Sequence, residues 1–172
     1  DPILFWAATT SPPRAAKQGG GIRIHFNPEQ WPGTANDTLV HELAHAMRMG
    51  NGVFDSRRIE TKDWPNLEEF LATQVANVYR SSLLKRELYD SYHHQQGRLA
   101  SKGTIYSEFV ENPQLIQATK YCLDNDALAQ QLSRLPVSYP EFNPFRDYPV
   151  LERMALGKLQ TPGHSAGQFL RL

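Results

Sequence analysis

Two histidines four residues apart, with an acid between them, stand in the string His41-Glu42-Leu43-Ala44-His45. On a helix such positions lie one turn above each other with Cβ atoms about 5–6 Å apart, so both imidazoles reach one ion through bonds of about 2.0–2.1 Å. Glu42 is turned by about 100° from His41, which lets its carboxylate approach the ion's open position without taking a ligand's place. The chemistry these residue types allow is hydrolysis by a metal that activates water, with Glu42 as the catalytic general base. Zn²⁺ is the expected cofactor, and His41 and His45 are its first two ligands.

Catalytic zinc takes three protein ligands and leaves one position for water, so a third group must come from elsewhere in the chain. The nearest source is Asn66-Leu67-Glu68-Glu69-Phe70-Leu71-Ala72-Thr73, where Glu68 and Glu69 compete. Projected at about 100° per residue, Glu68 falls at the centre of the apolar arc of Leu71, Val75 and Tyr79, while Glu69 lies at its edge with Ala72, Thr73 and Ala76. Helical phase favours Glu68; the small residues beside Glu69 favour a close helix approach there. Asn66 followed by Glu69 also resembles a capping box, a structural use for the same glutamate.

The elements that must position these groups follow from periodicity and punctuation. Leu39, Val40, Leu43, Ala44 and Met47 recur at helical spacing, with Asn36 or Asp37 as cap and Gly50-Asn51-Gly52 as stop, which predicts a helix over 37–49 with that stripe facing the interior. Trp64-Pro65-Asn66 opens a longer pattern through Leu67, Leu71, Val75, Val78, Leu83 and Leu84, expected to run to about residue 92. A further helix is expected over 113–135, broken near Asp124-Asn125-Asp126. A short one is expected over 150–156, after an irregular stretch punctuated by Pro136, Pro140, Pro144 and Pro149. Upstream, residues 3–8 read as a buried strand and residues 22–26 alternate as a half-buried one, expected to pair antiparallel across a loop containing Gly19-Gly20-Gly21. Tyr79, Tyr89, Tyr92, His93, His94 and Tyr106 are candidates for a donor to the oxyanion of acyl transfer. His25 and His164 have no partner at ligand spacing.

Composition narrows the classes. The 172 residues carry 18 basic and 18 acidic side chains and are 40% hydrophobic, which fits one folded domain over 1–172 rather than a disordered chain. A net charge of zero gives no field for general nucleic-acid binding. No run approaches the roughly 18 apolar residues of a membrane span. Cys122 is the single cysteine, read as a small buried apolar residue rather than a nucleophile. The start at Asp1-Pro2, without methionine or the charge pattern of a signal peptide, suggests a domain cut from a longer chain.

His41-Glu42-Leu43-Ala44-His45 followed by Glu69-Phe70-Leu71-Ala72 resembles the glutamate-type zincins, zinc metallopeptidases in which a glutamate on a second helix completes the site. Several branches, including the anthrax lethal factor catalytic domain and the Mlc titration factor peptidase, begin that segment Glu-Phe-Phe-Ala, and the resemblance selects Glu69 as the third ligand. Ile24-x-Phe26-Asn27-Pro28 ahead of the metal helix also resembles bacterial metallopeptidase toxin domains, such as type III effectors of the NleD kind and the C-terminal extensions of type VI secretion VgrG spike proteins. The likeness covers about residues 22–80. It implies a protein or peptide substrate, delivery by secretion into a target cell, and the remainder of a spike protein as a partner. A zinc-binding interaction module without essential proteolysis is the alternative, and a helical domain with an accidental motif is a third. The third histidine of metzincins and the aspartate segment of thermolysin-like enzymes are both missing, so no carboxylate is assigned behind the ligands. The fold class expected is α+β: a mainly helical, zincin-like domain with a small N-terminal sheet beside the metal helix.

Overall fold

The structure, a computed structural model, describes residues 8–11, 22–30, 33–59, 61, 63–91, 99–138 and 140–160. Alternation in the run after Gly21 becomes strand β2 (Arg23–Phe26), with Arg23 and His25 exposed and Ile24 and Phe26 turned inward. It pairs antiparallel with β1 (Ala8–Ser11), Ala8 opposite Phe26 and Ser11 opposite Arg23. Of the strand expected over 3–8, only Ala8 falls among the described residues. The sheet packs on helix α1 (Ala35–Gly50), as expected of a small sheet beside the metal helix.

Helix α1 starts ahead of the expected caps: Thr34 is its N-cap, and Asp37 sits inside the first turn, buried against Arg80. It closes through amides of Asn51, Gly52 and Val53 bonded back to Met47, Met49 and Arg48, a reversal that places Gly52 at φ +68°. The face that α1 buries is not the predicted apolar stripe. Leu43 and Met47 are 44% and 50% exposed, whereas Asp37, His41, Glu42, His45 and Arg48 are buried, with Ala44 the one apolar residue among them. Polar groups turned inward on one helical face need partners there, and α2 (Leu67–Ser82) supplies them.

Asn66 caps α2, its Oδ1 accepting the Glu69 amide at 2.9 Å. The helix ends at Ser82, ten residues short of the expected end. The amides of Leu84 and Lys85 bond back to Ser81 and Arg80, closing a Schellman turn with Leu84 at φ +58° and 74% exposed. Leu83 and Leu84, read from sequence as more of the buried stripe, are the turn itself. Strand β3 (Glu87–Tyr89) follows and pairs antiparallel with β4 (Leu99–Ser101), a hairpin the helical reading did not contain.

Four more helices complete the core. These are α3 (Lys102–Glu111), which was not anticipated, α4 (Pro113–Asn125), α5 (Ala127–Ser133) and α6 (Pro144–Gln160). The break expected near residues 124–126 falls at Asp126, whose Oδ1 accepts the Leu128 and Ala129 amides and so caps α5. The short helix expected over 150–156 is part of α6, which takes in much of the stretch expected to be irregular. Pro144 stands at its first position, where no amide is needed, and Asn143 accepts the Phe145 and Arg146 amides as a cap. Phe70, Leu71, Phe109, Phe142, Phe145 and Leu151 form the centre of the apolar core, between α2 and the C-terminal helices. The fold is α+β and mainly helical, as expected. Among the described residues no helix is long and apolar enough to cross a membrane.

Candidate metal centre

Because α1 packs most extensively on α2, the first turn of α2 comes to lie against the middle of α1. His41 and His45 face it edge to face, ring centroids 4.6 Å apart and planes at 85°. Their Nε2 atoms are 3.0 Å apart. Glu69 Oε2 lies 3.1 Å from Nε2 of His41 and 3.4 Å from Nε2 of His45. Three donor atoms from two helices thus form a nearly equilateral triangle. A tetrahedral ion with bonds of about 2.0–2.1 Å holds its ligand atoms about 3.3–3.4 Å apart, so the edges of 3.0–3.4 Å lie within about 0.4 Å of the size a zinc ion would need.

Electrostatics point the same way. Burial opposes a charged His45, yet hydrogen bonds and charge from Glu68 and Glu69 outweigh it and push the imidazole up to about 9. Burial would likewise raise the Glu69 carboxyl, but the hydrogen bonds from His41 and His45 bring it down to about 2. Both shifts express one fact: the cluster holds positive charge between its carboxylates. A metal held there would take the place of that proton.

No family model, curated protein or solved structure matches this chain. What the site does follows from its own geometry. His41, His45 and Glu69, the three residues expected as ligands, are brought together. Glu68 is not in the triangle. It is wholly buried beneath it, with Oε1 at 3.0 Å from Nδ1 of His45. The helical phase that favoured Glu68 was correct about burial, since Glu68 points into the interior while Glu69 lies at the rim with its side chain 20% exposed. The capping-box use of Glu69 extends only to its amide, because its carboxylate lies against the histidines. Glu42 is buried on α1 within the same turn as His41.

Sequence reading missed the groups behind the triangle. Arg48 Nε donates to Glu68 Oε2 at 2.8 Å, as does the Asp55 amide at 3.1 Å. Arg48 also pairs with Asp126 and donates to the Val53 carbonyl at 2.8 Å. Thr73 Oγ1 stands 3.5 Å from Nδ1 of His41. Spacing held one usable signal, since Arg48 follows His45 by three residues and His41 by seven, on the same helical face.

Three of the oxyanion-donor candidates fall among the described residues, with partners of their own. Tyr89 bonds to Asp37 and lies under Arg80, Tyr106 donates to Asp147, and Tyr79 lines an apolar recess with Val40, Val75 and Val78. Tyr92, His93, His94 and His164 lie outside the described residues. A second recess, of about 350 Å³, is lined by Arg48, Phe54, Arg57, Tyr121 and Asp126 among others. Neither recess is lined by His41, His45 or Glu69.

Proposed function

We propose that this chain is a zinc-dependent metallopeptidase domain that hydrolyses peptide bonds of a protein substrate. The observation that carries the proposal is the triangle of His41 Nε2, His45 Nε2 and Glu69 Oε2, with edges of 3.0–3.4 Å, with Glu42 buried on the same helix as the histidines. Behind it, Glu68 and Asp126 bring two buried carboxylates against the single guanidinium of Arg48, a surplus of negative charge that favours a cation in front. His41, His45 and Glu69 hold the ion. Zinc bound there supplies Lewis acidity to the substrate carbonyl and to a water molecule. Glu42 takes the proton of the attacking water and returns it to the departing amine. The resemblance of residues 22–80 to secreted effector domains extends the proposal to a toxin delivered into a target cell.

The rival reading is a zinc-binding interaction module without proteolysis, which would hold the same ion and make no use of Glu42. Zinc analysis combined with a proteolysis screen separates the readings. Wild type and Glu42→Gln should each hold one zinc, Glu69→Gln none, and only wild type should cleave substrate. The loss in Glu42→Gln should be about 10²- to 10⁴-fold, the usual worth of a general base. Full cleavage by Glu42→Gln removes the assignment of Glu42, zinc without cleavage in wild type selects the module, and no zinc in wild type ends both readings.

A further inference from the structure

We propose that Glu68, Arg48 and Asp126 form a positioning relay for His45, which makes the junction of α4 and α5 part of the metal centre. The proposal rests on the zinc reading above. An ionised carboxylate only accepts hydrogen bonds, so the 3.0 Å contact between Glu68 Oε1 and His45 Nδ1 places the proton on Nδ1 and leaves the Nε2 lone pair to the ion. The other Glu68 oxygen receives Arg48 Nε at 2.8 Å and the Asp55 amide at 3.1 Å, which fixes the carboxylate plane. Arg48 spends its fork on three segments: Glu68 on α2, the Val53 carbonyl after α1, and Asp126 between α4 and α5. Asp126 is in turn held by the backbone, one oxygen capping α5 through the Leu128 and Ala129 amides. Every side chain in the series is buried.

Such a series is a poor way merely to stabilise a fold. Apolar residues of the same volume do that equally well, without the cost of desolvating three charged groups. Orienting a metal ligand, by contrast, requires a carboxylate behind the imidazole and something rigid behind the carboxylate. The junction of α4 and α5, to which sequence assigned no chemistry, supplies that rigid end.

Asp126→Asn isolates the effect, because asparagine keeps the cap through Oδ1 while removing the charge that faces Arg48. The readings are the zinc dissociation constant by chelator competition and the His45 Nδ1 proton by ¹⁵N-resolved NMR. Glu68→Gln should weaken zinc about 10- to 100-fold and Asp126→Asn about tenfold, the range seen when outer partners of ligands are altered. Ser81→Ala serves as the control: it loses the bond from the Phe142 amide at the far end of α2 without touching the series, and should leave zinc affinity unchanged. Wild type should show a slowly exchanging His45 Nδ1 proton, shifted in Glu68→Gln. Affinities within about twofold of wild type in both relay variants, or no such proton in wild type, overturn the proposal. Should Glu68→Gln not fold, Asp126→Asn and the wild-type proton decide. A chain that binds no zinc overturns the metallopeptidase reading and the relay with it, whereas zinc bound with unchanged affinity in both relay variants overturns the relay alone.

Discussion

Removing zinc should cost this fold several degrees of thermal stability, and the amount follows from where the ligands stand. In the native chain the three donor atoms are already within 3.0–3.4 Å of one another. In the unfolded chain Glu69 must be returned to His41 across 28 residues. Closing a loop of that length costs about 3 kcal/mol on the (3/2)RT ln n scale. Zinc therefore binds the native chain about a hundredfold more tightly than the same three side chains unfolded, and saturating zinc adds about 3 kcal/mol of stability. For 172 residues, at about 2–4 °C per kcal/mol, Tm should rise by about 6–12 °C. The assay is a circular-dichroism melt of chelator-stripped protein with and without zinc, for wild type and for Glu69→Gln. Glu69→Gln, which should hold no zinc, should show no rise. A Tm that zinc leaves unmoved in wild type, or moves equally in both proteins, would refute the reasoning.

Other expectations concern the frame around the site. Arg80 pairs with Asp37 and donates to the Glu87 carbonyl at 3.0 Å, so Arg80→Met strands a buried carboxylate and should cost about 3–5 kcal/mol in urea unfolding. A loss under about 1 kcal/mol would mean that Tyr89 alone satisfies Asp37. Leu84 closes the α2 turn at φ +58°, a conformation costing a non-glycine residue about 1–2 kcal/mol. Leu84→Gly should therefore raise stability by about 1 kcal/mol by the same measurement, and a decrease would show that the leucine is not strained. Burial pushes the Cys122 thiol up to about 12, above its ordinary 9.0. A raised thiol holds its proton better when folded, so its contribution to stability is full below about pH 9 and is lost as pH rises through about 12. Native protein at pH 8 should resist a thiol reagent that labels the unfolded chain at once, and equal labelling rates would contradict this.

What the sequence discloses here is chemistry more than packing. The spacing of His41 and His45 is a helical fact, and helix spacing survives whatever the helix packs against, so this pair was readable without the fold. The choice between Glu68 and Glu69 was not, because one turn of α2 gives both an inward and a rim position, and only the partner helix decides which donor meets the rings. The stripe of α1 was read one notch off for a related reason: periodicity marks a face of Leu43 and Met47 but cannot show that the opposite, polar face is the buried one. Turns were equally opaque where a residue acts against type. Leu84 in a left-handed turn ended α2 early, and Pro144 opened α6 where proline reads as a break. The break near Asp124-Asn125-Asp126 was legible, but not which of the three caps α5; the second task of Asp126, facing Arg48, involves a residue 78 positions away and leaves no local trace.

The three vertices of the metal triangle are not equally shielded. The histidine side chains are 4% and 7% exposed, and the carboxylate is the accessible corner. A chelator competing for an ion held there would meet Glu69 first, and the two imidazoles, mounted on one helix, would let go last. Exchange would then be ordered, with a carboxylate latch hung on the first turn of α2, where the Glu69 amide donates to Asn66. A capping asparagine that touches none of the three donor atoms would then help set how fast a bound metal leaves.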